Sequence, residues 1–208
     1  SIVLTGAGKC FSAGADIKGR ASQETDLGDH WVHSRRVREC FYAIMECRKP
    51  VIAAINGAAL GAGLAVAASA DILIASESAS VGLPEINVGL LGGGRHAMRL
   101  FGHSKTRRLM LTGQRLSGAE LYRLGVVEEC VPDDDLMRAA LEIAEELASK
   151  SPVAMSLAKE TLNAIEEMAL RDGYRHEQNK TGELSKTEDS REAMRAFSEK
   201  RTPIFKGR

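Results

Sequence analysis

Apolar residues fall first in short unbroken blocks and later at helical intervals. The blocks Ile-Val-Leu-Thr at 2–5, Val-Ile-Ala-Ala-Ile at 51–55 and Asp-Ile-Leu-Ile-Ala at 71–75 read as strands buried on both faces. Gly6-Ala7-Gly8 ends the first block and Pro50 opens the second. Over residues 31–47 the apolar positions Val32, Val37, Phe41, Ile44 and Met45 recur at helical spacing. A helix of small residues is expected over 61–69, between the second and third blocks. This alternation predicts an α/β core with right-handed crossovers. The polar stretch 19–29 has no period and reads as a loop. Beyond Gly89 the pattern becomes helical over 100–112, 118–124, 135–150 and 151–168, with a short strand near 126–131. Ser151-Pro152 supplies a cap followed by proline at the first helical position. From residue 172 onward the chain is charged and amphipathic, including 191–200. The expected organisation is an α/β layer over residues 1–134 and a helical region over 135–208, with no internal repeat.

Composition narrows the function. Hydrophobic residues make up 44% and charged residues 27%, an ordinary globular balance. Lys plus Arg and Asp plus Glu both number 28, so no net field points to nucleic acid or an anionic membrane. Aromatics at 4% argue against stacking platforms for bases. Cys10, Cys40, Cys47 and Cys130 form no C-x-x-C pair and read as reduced, packed thiols, with no metal site. No apolar run approaches the roughly 20 residues of a membrane span, and the expected compartment is the cytoplasm. The chain opens on Ser1 within an apolar run; a buried strand normally has a partner before it, so preceding strands are expected to be missing.

Three segments carry chemistry. Cys10-Phe11-Ser12-Ala13-Gly14-Ala15-Asp16-Ile17-Lys18 puts small residues after a strand, where backbone can approach a ligand closely. Asn56-Gly57-Ala58-Ala59-Leu60-Gly61-Ala62-Gly63 places a glycine-rich turn at the start of a helix, with unpaired N–H groups suited to an oxyanion. Such a turn also serves plain tight packing. Its G-x-x-x-G-x-G spacing departs from the dinucleotide fingerprint, and no acid ends the following strand. Gly82-Leu83-Pro84-Glu85-Ile86-Asn87 holds a single acid among apolar neighbours, where a lone glutamate is otherwise a solvated loop residue.

Together these segments resemble the crotonase family, the enoyl-CoA hydratase/isomerase superfamily, over essentially the whole chain. Ser12 to Lys18 is similar to its A-G-A-D-[IL]-K segment, and Pro50 to Gly57 to its K-P-x-I-A-x-[IV]-N-G strand. Gly61-Ala62-Gly63, Asp71 and Pro84-Glu85-Ile86 follow in order, and Phe197-Ser198-Glu199-Lys200-Arg201 with Phe205-Lys206 resembles its C-terminal motif. The resemblance implies an α/β fold, a spiral of ββα turns with a C-terminal helical trimerisation region, assembled as a homotrimer or hexamer. It implies an acyl-CoA substrate, with no cofactor beyond the coenzyme A that the substrate carries. It assigns the backbone N–H groups of Ala15 and Ala62 to an oxyanion hole for the thioester oxygen, and Glu85 to acid/base work. Coenzyme A would lie along Ala13, Ala15, Asp16, Ile17, Lys18 and Gly61, with Phe197 and Lys200 reaching it from the last helix. Packing for Phe197 and a solvated charge for Lys200 are the alternatives.

The chain departs from the family at Ala65, where two-carboxylate hydratases carry a glutamate. Alanine moves no proton, which leaves Glu85 alone. One carboxylate suffices to shift a double bond, taking a proton at C2 and returning it at C4. Isomerisation is therefore the leading expectation; a one-glutamate hydratase or lyase, or a non-catalytic CoA-binding subunit, are the alternatives. Gly92-Gly93-Gly94-Arg95-His96 also departs from the family's usual segment. Arg95 and His96 are expected to face solvent or a subunit interface rather than the acyl pocket, and His30 and His33 receive no role.

Overall fold

The computed structural model describes residues 1–16 and 26–208. Strands come in consecutive pairs: β1 (Ile2–Thr5) with β2 (Cys10–Ser12), β3 (Val51–Ile55) with β4 (Ala58–Leu60), and β5 (Ile72–Ser76) with β6 (Ser80–Gly82). The first strand of each pair enters one sheet and the second enters another. With β7 (Arg115–Ser117) and β8 (Cys130–Val131), the sheet orders are β1-β3-β5-β8 and β2-β4-β6-β7. The β3–β5, β5–β8, β2–β4 and β4–β6 pairs are parallel, and β6–β7 is antiparallel. Helix α1 (Leu27–Met45) follows the first strand pair and α2 (Ala62–Ala68) the second; α3 (Gly94–Leu100) and α4 (His103–Thr112) follow the third. Each turn of the chain is thus ββα, and the turns wind as a spiral, as the family resemblance implied.

Burial explains why β3 carries no polar residue. Ile52, Ala53 and Ala54 are 0% exposed, so a polar group there would lose water without a partner. Polar residues at the ends of the strands fix the register. Asp71 Oδ2 accepts from the Val51 N–H at 2.7 Å, tying the start of β3 to the residue before β5. Asn56 pins the β1–β2 connection: its Nδ2 donates to the carbonyls of Gly6 and Gly8, and its Oδ1 accepts from Gly6 N at 3.0 Å. That clasp sets where the chain re-enters at Cys10.

Several expectations are corrected. The 2–5 strand forms, but at a sheet edge, and Ile2 is 42% exposed rather than buried. The 126–131 strand shrinks to Cys130–Val131, because Val126 N–H bonds back to Leu121 O in a turn. The helix expected over 100–112 is two helices, with Phe101 extended between them and Gly102 capping α4. Residues 27–29 of the expected loop are helical; its residues 19–25 lie outside the described residues. Strands β2, β4, β6 and β7 were not expected at all.

The described residues divide into two compact units. One comprises Val3–Met45 and Val51–Leu141, and includes α5 (Gly118–Arg123), whose start is fixed by a capping box between Ser117 and Glu120. The other comprises Ser1–Ile2, Glu46–Pro50 and Glu142–Arg208. Helix α6 (Leu136–Ala148) runs into this second unit, which holds α7 (Pro152–Ile165), α8 (Leu170–Leu184) and α9 (Glu188–Glu199). Lys180 ties α8 to Glu160 of α7 at 2.8 Å. Asp189, 1% exposed, accepts from Ser151 Oγ and from the N–H groups of Lys206 and Gly207, holding the chain's end against α7 and α9. Among the described residues no helix is long and apolar enough to cross a membrane.

Candidate active site

The glycine-rich turn and the segment after β2 lie against each other. Gly14 has φ +93°, and a Cβ there would stand 2.7 Å from Leu60 O and 3.3 Å from Ala62 N. A Cβ on Gly63 would come within 2.8 Å of Ser12 Cβ. Small residues at these positions let the two backbones approach, which brings the peptide groups of Ala15 and Ala62 to one cavity. Gly61 takes φ 57° and ψ −118°, a conformation that a side chain strains. Its N–H donates to Gly82 O at 2.9 Å and its carbonyl accepts from Ala65 N, so α2 starts on Ala62. Among the described residues, neither the Ala15 nor the Ala62 N–H has an acceptor in the protein.

The cavity has a volume of about 610 Å³ and belongs wholly to the first unit. Glu85 reaches it from the short 3₁₀ turn Pro84–Val88, which Gly89 closes in the left-handed conformation (φ 70°). Glu85 is the one carboxylate among the described residues that line the cavity. Its Oε2 is buried without a hydrogen-bond partner. Burial raises its pKa above the ordinary carboxylate value, and a bond from its own backbone N–H offsets part of that rise. Ala65, 1% exposed, also lines the cavity, so no carboxylate stands where a second family glutamate would. A protonatable group and two N–H donors without acceptors among the described residues, lining one cavity, can hold a carbonyl oxygen and move a proton beside it.

The structure gathers Ala13, Ala15, Gly61, Ala62 and Glu85 around this cavity. Asp16 is exposed at the end of the described segment, and Ile17 and Lys18 lie outside the described residues. Phe197 and Lys200 stand at the end of α9 in the helical unit. Phe197 is 86% exposed, and Lys200 caps the helix in the left-handed conformation, φ 53°.

His96 is a correction: it lines the cavity instead of facing solvent or a subunit interface. Arg99 Nη1 donates to Ala68 O at 2.7 Å, seating α3 on the end of α2, and His96 then meets Phe41 with ring centroids 4.6 Å apart. Burial and the charges of Arg99 and Arg95 lower its pKa below the ordinary histidine value. One face of α1 was also missed as cavity wall: His30, His33, Ser34, Val37, Arg38 and Phe41. Their i, i+3, i+4 spacing is visible in the sequence, but mixed polarity hid it from a search for apolar periodicity.

Residues 1–208 match the family model described as enoyl-CoA hydratase/isomerase. The chain is 39% identical over 208 residues to a probable mitochondrial enoyl-CoA hydratase of Dictyostelium discoideum, covering 99% of this chain and 74% of that one. It is 39% identical over 217 residues to a probable enoyl-CoA hydratase of Rhizobium meliloti, covering 100% and 80%. The crystal structure of enoyl-CoA hydratase from Bacillus anthracis superposes with a TM-score of 0.92 at 38% identity, covering 100% of this chain and 81% of that one. With the ββα spiral and the order of its segments, these likenesses make the chain a member of the enoyl-CoA hydratase/isomerase family, within the crotonase superfamily.

Proposed function

We propose that this acyl-CoA enzyme moves a double bond within an enoyl thioester, with Glu85 as its sole acid/base. The observation that carries the reading is the single carboxylate among the described residues that line the cavity, with Ala65 where a second would be. The thioester oxygen accepts from the N–H groups of Ala15 and Ala62. Glu85 removes a proton from C2 of a 3-enoyl thioester; the C–H pair forms the C1–C2 double bond and the carbonyl pair moves onto that oxygen, giving a dienolate. The same carboxyl group then returns the proton at C4, giving the 2-enoyl product. The raised pKa of Glu85 suits a group that must both take and give a proton.

Coenzyme A extends along Ala13, Ala15, Asp16, Ile17, Lys18 and Gly61, with Phe197 and Lys200 contributing from the last helix of a neighbouring subunit. Exposed apolar residues of the helical unit, such as Leu162 (65%), Leu170 (90%) and Ile204 (74%), support assembly as a homotrimer or hexamer. The reaction draws on no cofactor beyond the substrate's own coenzyme A, and its proposed compartment is the cytoplasm.

A second reading, hydration of a 2-enoyl thioester with one carboxylate serving in turn as base and acid, is favoured by the hydratase names of the relatives. The test assays 3-enoyl-CoA isomerisation and 2-enoyl-CoA hydration with the native chain and with Glu85→Gln. Isomerisation that disappears in the variant supports the first reading, and hydration alone supports the second. Activity that persists undiminished removes Glu85 from its role. Acyl-CoA binding without turnover in the native chain reduces the protein to a CoA-binding subunit.

A further inference from the structure

The cavity holds more polarity than a hydrocarbon tail needs. On the α1 wall, Phe41 is buried and packs on His96. From there His30, His33, Ser34 and Arg38 face the cavity. At 1.5 Å per residue, Arg38 stands roughly 4.5 Å along the helix axis from Phe41, and His33 and Ser34 roughly 11–12 Å. The basic groups therefore extend progressively from the Phe41–His96 contact. Gly92, four residues before His96, borders the Glu85 carboxylate: a Cβ there would be 3.5 Å from Oε1.

The charge balance of this wall is one-sided. Arg38 is a permanent cation, and among the described residues it has no ion-pair partner. Among the described lining residues the single carboxylate is Glu85, whose Oε2 is buried without a hydrogen-bond partner. Among the described residues Arg38 thus has no anion to answer it, although Val37, Phe41, Leu90 and Leu91 give the cavity apolar walls for a carbon chain. Apolar walls with a few placed polar groups are how a pocket selects a ligand that is mostly hydrocarbon and polar at one point.

We infer that the acyl pocket selects thioesters whose chain ends in a carboxylate, with Arg38 as the specificity-determining cation and His33 and Ser34 as hydrogen-bond donors beside it. The inference rests on the reading of this cavity as an acyl-thioester site, but not on which reaction Glu85 performs there. The terminal carboxylate sits against α1, away from Glu85, where a second anion would obstruct ionisation of the acid/base.

The test is a binding measurement by calorimetry with the full chain carrying Glu85→Gln, so that turnover plays no part. Hexanoyl-CoA is compared with its ω-carboxy counterpart adipoyl-CoA, and octanoyl-CoA with suberoyl-CoA. The expected result is tighter binding of the ω-carboxy ligand at one length or both, by about five-fold; an exposed guanidinium supplies less than a buried one. Adding Arg38→Met narrows that ratio towards one, and Arg38→Lys restores part of it. Equal affinity within both pairs overturns the inference. So does a ratio that Arg38→Met leaves unchanged, which would give Arg38 to the coenzyme A phosphates or to the fold. Loss of the Glu85 role in the activity assay, with the ratio still above one, removes the proposed chemistry and leaves this specificity standing. No binding of any of the four ligands removes both.

Discussion

Glu85 and Gly61 meet so closely that a Cβ on Gly61 would overlap Glu85 Oε1 and stand 3.0 Å from its carboxyl carbon. The acid/base candidate and the turn that begins α2 are therefore one steric unit. The carboxylate rests on bare backbone next to Ala62, whose N–H is a proposed oxyanion donor. Gly61 is required twice, for the space it leaves and for its φ of 57°.

Gly61→Ala tests both requirements. The strained backbone costs about 1–3 kcal/mol of stability, and the methyl group pushes Glu85 out of register with Ala62. We expect kcat/KM to fall by about 100-fold, the scale of a misplacement near 1 Å. Thermal melting and steady-state kinetics check the two effects separately. A variant with native kcat/KM would show that Glu85 need not rest on the turn.

Glu85→Gln should abolish proton transfer while sparing the fold. General acid–base groups contribute about 10²- to 10⁴-fold, so kcat should drop within that range. In the native chain, activity that needs the carboxylate is lost as pH falls through a midpoint above the ordinary glutamate value, because burial raises the pKa. The stability sign is opposite. A carboxyl group with a raised folded-state pKa binds more protons folded than unfolded, so its contribution to stability declines as pH rises from the unfolded-state value of 4.5 to the raised one. Glu85→Gln removes that decline, and its melting temperature at pH 7 should equal or exceed the native one.

How much of this was legible depended on element length. β3 and β5 rest on apolar runs of five and four residues, and the sequence announces them. Ala58–Leu60, Ser80–Gly82 and Arg115–Ser117 are three residues each, too short to show alternation, and exist because neighbouring strands pair with them. Ala15, Ala62 and Glu85 were singled out because their segments resemble the family's in order and spacing, and all three line the cavity. The α1 wall was not: Val32 and Val37 suggested a buried apolar face, yet Val32 is 42% exposed and only Phe41 of the helix is buried. Its one buried residue, Phe41, packs on His96, a tertiary relation between distant segments.

Asp189 predicts acid sensitivity in the helical unit. Burial by itself would raise its pKa, but bonds from Lys206 N, Ser151 Oγ and Gly207 N together lower it. Its stabilising contribution is therefore full above the unfolded-state value of 3.8 and is lost as pH falls through the lowered one. Asp189→Ala strands these donors and should cost about 3 kcal/mol at pH 7, read from urea unfolding. A much smaller loss would mean that the chain's end docks without this anchor.

Ala65→Glu restores the carboxylate that two-glutamate hydratases carry and asks whether its absence sets the reaction. Ala65 is 1% exposed, so the added volume and charge should cost about 1–3 kcal/mol in overpacking. Two carboxylates in one cavity disfavour each other's ionisation, and Glu85 already lacks a partner for Oε2. The acid limb of the pH profile should therefore move to higher pH than in the native chain. A group that can activate water opposite Glu85 should raise the ratio of 2-enoyl hydration to 3-enoyl isomerisation. If the limb moves and the ratio does not, the new carboxylate is in the cavity but water is not delivered to the acyl carbon. The choice of reaction would then lie in the shape of the α1 wall rather than in the count of glutamates.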